Sequence, residues 1–177
     1  VLHNRADNFP DRMEFVARSG NDAGQLGLYA RDSVEPLFKD GTITGAYNGV
    51  EIGGEAASAS FEDVSVVSPT NAGLEITGQA SSAIDGLEVS GGTYGVLVGN
   101  SASGSVDLHN MDLDGQTTAG VYYTKDLNSD FSGTVTNSLG AAFKYGINTD
   151  DDVSLSGLTV SNNAVGIESA GSSEFTL

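Results

Sequence analysis

The chain contains no cysteine, no tryptophan and only three prolines among its 177 residues. Without cysteine there can be neither disulfides nor thiolate metal sites. The scarcity of proline sets aside collagen-like and proline-rich chains, and 24 glycines are too many for ordinary helices. No run approaches the roughly 18 apolar residues of a membrane-spanning helix, so no span is expected within this segment. No Asn-x-Ser/Thr sequon occurs either.

Positive charge is equally scarce. Seven Lys/Arg face 24 Asp/Glu, a formal net charge of −17. The imbalance is uneven: residues 1–39 carry net −1, and residues 40–177 carry net −16, with Lys125 and Lys144 as their sole cations. Nucleic-acid binding rests on neutralising phosphates with cations, so nucleic acid is not an expected partner, and an anionic membrane surface is disfavoured for the same reason. The acidity suits a solvated surface, high salt or divalent cations.

What is present is a repeat. Apolar anchors recur at Phe38, Phe61, Ile84, Leu108, Phe131 and Leu155, at intervals of 23, 23, 24, 23 and 24 residues. Two positions after each stands a residue that tolerates a turn conformation: Asp40, Asp63, Gly86, Asn110, Gly133 and Gly157. Next come two positions separated by one, the alternation of a half-buried strand: Gly41/Ile43, Val64/Val66, Leu87/Val89, Met111/Leu113, Thr134/Thr136 and Leu158/Val160. A second strand opens with Gly in every unit, at Gly49, Gly73, Gly95, Gly120, Gly146 and Gly166, and an aliphatic residue follows each time. Its third residue is expected outward and its fourth inward. One unit cannot bury its apolar stripe alone, but stacked units can, with strands pairing in parallel about 4.8 Å apart.

This pattern resembles the right-handed parallel β-helix repeats of the pectate-lyase-like superfamily. The resemblance implies an all-β solenoid of six to seven coils, each of 23–24 residues. Residues 38–177 carry the regular coils. Residues 1–37 read as an irregular or degenerate first part, with Phe15 lying 23 before Phe38 and Leu26-Gly27-Leu28-Tyr29 as a degenerate second strand. The repeat is already running near Val1 and continues to Leu177, so the segment is expected to belong to a longer chain.

The same resemblance directs the search for chemistry. Asn148-Thr149-Asp150 matches a short motif of the polygalacturonase family. That family adds further Asp residues on the next coil, a Gly-His-Gly and an Arg-Ile-Lys. Here the histidines are His3 and His109, neither in Gly-His-Gly. A pectate-lyase site would need an Arg base, yet every Arg lies within residues 1–31. No catalytic residue is therefore assigned.

No cofactor is required by the sequence, and calcium is the one its carboxylates would suit. The densest cluster is Asp150, Asp151 and Asp152, and Asp112 and Asp114 are a second candidate. The outward third residues should form a ladder of Glu51, Glu75, Leu97, Tyr122, Asn148 and Glu168, with Tyr94 and Tyr145 just before the Gly, and Tyr47 near by. Glu51, Glu75, Tyr94, Tyr122 and Tyr145 are the candidate carbohydrate-binding set. The expected role is a non-catalytic extracellular or cell-surface segment, adhesin-like or fibre-forming, self-associating through its ends. The alternatives are a polysaccharide-active enzyme (lyase, hydrolase or epimerase) and a calcium-dependent carbohydrate-binding module.

Overall fold

A computed structural model describes residues 13–16, 26–31, 37–53, 59–78, 82–99, 102, 105–124, 128–145, 153–169 and 175–176. The strands are β1 (Met13–Val16), β2 (Leu26–Arg31), β3 (Leu37–Thr44), β4 (Asn48–Gly53), β5 (Ala59–Val67), β6 (Ala72–Ile76), β7 (Ser82–Ser90) and β8 (Tyr94–Val98), then β9 (Ser105–Asp114), β10 (Ala119–Tyr123), β11 (Asn128–Thr136), β12 (Ala141–Tyr145), β13 (Val153–Ser161), β14 (Val165–Ser169) and β15 (Phe175–Thr176). Among the described residues there is no helix. Odd-numbered strands form one sheet in the order β1-β3-β5-β7-β9-β11-β13-β15, and even-numbered strands form the other, running from β14 to β2. All pairings are parallel. The chain is thus an all-β parallel solenoid of about four turns, somewhat fewer than the six to seven coils expected from the repeat.

Two apolar columns build the interior. Ile43, Val66, Val89, Leu113 and Val135 stack from β3 to β11, all at most 2% exposed. Facing them, Val50, Leu74, Val96, Val121 and Phe143 stack from β4 to β12, all fully buried. β-branched and aliphatic residues suit this packing on a pleated surface.

The long strands are bent by the turn-formers read from the sequence. Asp40, Asp63 and Asn110 have φ of 51°, 53° and 51°, and Gly86 and Gly133 have 79° and 134°. A second left-handed column, unexpected from the sequence, closes each long strand: Gly45, Ser68, Gly91, Gly115, Asn137 and Asn162. Their N–H groups keep the ladder running, with Ser68 N donating to Ser90 O and Gly91 N to Asp114 O, each at 2.8 Å.

The register departs from the expected one in three places. Phe38 pairs with Phe61 and Leu108 with Phe131, but Ile84 pairs with Ala59, because the β5–β7 ladder slips at the bend. In β11 one residue fewer turns the corner, so Gly133 lies opposite Met111 and Val135 opposite Leu113. Val135 is therefore the buried residue, and Thr134 and Thr136, expected inward, are half-buried. A one-residue slip exchanges the two faces of a strand, and the apolar side chain takes the core. Finally, Phe15 pairs with Ile43 rather than Phe38, while Leu28 in β2 pairs with Val50.

Inside one turn the core becomes polar. Gln116 is fully buried and donates to the carbonyls of Asp114, Val89 and Gly91 at 2.9, 3.3 and 3.3 Å. Ser138, above it, donates to Gln116 Oε1 at 3.4 Å. Asn163 donates to Val135 O at 2.9 Å and accepts from Ser138 N at 2.8 Å. The amides meet carbonyls that a buried turn would otherwise leave unpaired.

Candidate functional site

Alternation along the short strands sends one residue per coil to the outer face. In register these are Tyr29, Glu51, Glu75, Leu97, Tyr122, Lys144 and Glu168. The ladder agrees with the expected one except at the fifth coil, where Lys144 replaces Asn148. β12 opens at Ala141, so Ala142 holds the slot that Gly holds in the other coils, and Phe143 pairs with Val121. Phe143 lies eight positions after Val135, as Val121 does after Leu113, whereas a Gly146 register would need twelve. Keeping the turn length outweighs keeping the glycine. Residues 146–152 lie outside the described residues, and with them Asn148 and the expected calcium cluster Asp150, Asp151 and Asp152.

Glu51 and Glu75 are direct neighbours on β4 and β6. Each is fixed by a donor. Asn48, 3% exposed and one residue before the Gly, donates from Nδ2 to Glu75 Oε2, and its own Oδ1 accepts from Asn71 Nδ2 at 3.0 Å. Thr77 Oγ1 donates to Glu51 Oε1 at 3.4 Å. Burial raises the pKa of both carboxyls above the ordinary 4.5, and for Glu75 the charge of Glu51 adds to the rise, against the hydrogen bond from Asn48.

One coil further, the Tyr94 ring stacks on Tyr122 with centroids 5.2 Å apart and planes at 21°. Burial, then Tyr122, pushes the Tyr94 phenol up. Lys144 donates from Nζ to Glu168 Oε1 at 2.9 Å, a pair half in solvent. The hydrogen bond to Glu168 is the main cause of its raised pKa. Tyr145, expected beside this set, ends β12 opposite Tyr123 and Ser169. Its side chain lies outside the described residues. Tyr47 is half-buried in the turn before β4.

The structure thus brings Glu51, Glu75, Tyr94 and Tyr122 onto one face, in two adjoining pairs. It adds four residues that the sequence reading passed over: Asn48, Asn71, Thr77 and Lys144. Lys144 carried a signal, being one of two cations after residue 39. Chemically, the face offers hydroxyl-accepting carboxylates beside phenol rings. At the second calcium candidate Leu113 points inward as expected, Asp112 is exposed, and Asp114 Oδ1 accepts from Thr136 Oγ1 at 2.8 Å and Asn137 Nδ2 at 2.5 Å. Among the described residues no group of three or more His, Cys, Asp or Glu is placed to hold a metal ion.

The family model described as "Right handed beta helix region" matches residues 21–177. No curated protein and no solved structure matches the chain.

Proposed function

The chain belongs to the right-handed β-helix region family, and from that premise we propose that it serves as a non-catalytic, extracellular β-helix segment of a cell-surface, adhesin-like or fibre-forming protein. The observation that carries this reading is the unbroken parallel stacking of both sheets, which makes a rod with the same two faces in every coil. The reading counts six to seven coils, supported by the eight- and seven-stranded sheets, with one strand of each per coil. Val160 and Val165 are 38% and 42% exposed, whereas their neighbours in the preceding coil, Val135 and Ala141, are fully buried. A further coil, from the same chain or from a second copy, would bury them and pair the strand edge.

Sedimentation across a concentration series and negative-stain microscopy test this role. End-to-end rods are expected, shortened by Val160→Lys. Monomers at every concentration would refute self-association, and turnover on a polysaccharide panel, read by reducing-sugar and unsaturated-product assays, would refute the non-catalytic reading.

The adjacency of Glu51 and Glu75 to the stacked Tyr94 and Tyr122 favours a second reading, a carbohydrate-binding module that takes calcium at Asp150–Asp152. Calorimetry against neutral polysaccharides with calcium or chelator tests it. Heat that vanishes in Tyr122→Ala and in chelator is expected, and no heat under any condition would refute it.

A further inference from the structure

The chain has neither tryptophan nor cysteine, so its six tyrosines are the side chains that lose one electron most readily. Two of them are already in ring contact. Tyr94 opens β8 opposite Ala119 of β10, and Tyr122 lies three residues further along β10, opposite Leu97. Their backbones are thus offset by one strand spacing, about 4.8 Å, and by three residues of rise, about 10 Å. The side chains lean together across that gap and stack, with centroids at 5.2 Å and planes at 21°, within the range aromatic pairs favour. The reach follows from the register: Asn48, the first residue of β4, spans the same diagonal to Glu75. Ala72 and Ala119, beside Tyr94 in its own column, are too short to come between the rings. Both rings are half-buried, so an oxidant in solvent meets them. Tyr123 lies in the core, Tyr29 is three strands from Tyr94, and Tyr47 is in the turn before β4, two strands away.

We infer that Tyr94 and Tyr122 form an oxidative cross-linking site, at which peroxide and a haem peroxidase join the two rings and tie β8 to β10 covalently. Each ring loses one electron and its phenolic proton. Hydrogen peroxide takes both electrons and both protons and leaves as two waters. The unpaired spin of each phenoxyl radical reaches the ring carbons beside the oxygen, and one Cε of each ring joins in a new C–C bond. The hydrogen on each bonded Cε then returns to a phenol oxygen through solvent. The product is the chain less two hydrogens, with both hydroxyls restored. The fold's contribution is proximity: the second ring is in contact before the first is oxidised, so coupling is intramolecular. A chain without cysteine has no disulfide for this purpose, and a bond between residues 94 and 122 constrains the unfolded chain as a disulfide does.

The test is brief treatment of the dilute protein with a haem peroxidase and hydrogen peroxide, read on the monomer by dityrosine fluorescence and intact mass. A loss of two hydrogens is expected. Cleavage before Asp107, Asp112 and Asp114 separates the Tyr94 peptide from the Tyr122 peptide, so the bond should appear as those two peptides linked. Tyr94→Phe and Tyr122→Phe keep the ring and remove only the hydroxyl, and each should abolish the link. Tyr29→Phe should leave it unchanged. The same treatment in unfolding urea should lower the yield of this link several-fold, because the register no longer holds the rings together. Dityrosine confined to dimers, a link that survives either Phe variant at position 94 or 122, or an equal yield in urea would each overturn the proposal. Mixing isotope-labelled with unlabelled chain separates bonds within a chain from bonds between chains. The outcome depends on neither self-association nor polysaccharide binding.

Discussion

Gly73 should be irreplaceable, and Gly166, in the same slot of a later coil, should be dispensable. A Cβ at Gly73 would lie 2.3 and 2.5 Å from the two γ-carbons of Val89 and 2.9 Å from Gly95 O. Val89 is fully buried and packed on both sides, so its methyls have little room to retreat, and the carbonyl belongs to the next coil's backbone. Overpacking of this kind costs about 1–3 kcal/mol, and a backbone atom among the contacts places Gly73→Ala toward the upper part of that range. At Gly166 an added Cβ meets nothing within 4 Å. There Ala should be neutral, or more stable by about 0.4–1 kcal/mol through the unfolded chain. With a urea slope of about 2 kcal/mol per molar, the Gly73 variant's midpoint should fall by about 1 M. Circular dichroism during urea titration reads this directly. Hydrogen exchange should place the loss in β6–β8, since solenoid stability is a sum over neighbouring coils. Equal midpoints for Gly73→Ala and Gly166→Ala would refute the argument, because the two sites share slot and chemistry and differ in the coil stacked above.

Gln116→Leu keeps the volume of a fully buried side chain but removes its donations to Val89, Gly91 and Asp114, so thermal unfolding should show a loss of about 2 kcal/mol. Asn110 sits at φ 51° and holds Asp85 Oδ1 at 2.6 Å, so Asn110→Ala should cost about 1 kcal/mol in urea unfolding while Asn110→Gly stays nearer the wild type. Wild-type melting temperature should rise as pH falls from neutrality towards 4.5, the direction set by the raised carboxyls of Glu51 and Glu75, and Glu75→Gln should flatten that rise.

The fold was legible because stacking imposes one demand on every coil. A residue at a core position sits on its counterparts above and below, so Ile43, Val66, Val89 and Leu113 announce the column by recurrence alone. The bends at Asp40, Asp63 and Asn110 were legible for a related reason, since few side chains accept φ near 50°. The second column of bends was less so. Ser68 occupies it without being a typical left-handed residue, and it does so because its N–H is held by Ser90 O.

Recurrence misled where a coil kept its geometry with different residues. In the fifth coil Gly146 imitates the slot filled by Ala142, and Thr134 and Thr136 imitate the column filled by Val135. Both errors disappear when the constraint is taken to be turn length and apolar burial rather than residue identity. Ala142 shows why the substitution is tolerated there. A Cβ at Gly120 would lie 2.3 Å from Val135, which is fully buried, whereas Val160, the next residue in that column, is 38% exposed and free to yield to Ala142. The correction reaches the outer face as well: moving the register by four residues takes Asn148 off the ladder and puts Lys144 there, bound to Glu168. The face is therefore graded along the rod, with two neighbouring carboxylates towards one end, paired tyrosines in the middle and an ion pair beyond. Under the proposed carbohydrate-binding reading, neighbouring carboxylates beside stacked rings would suit a hydroxyl-rich neutral chain better than a polyanion.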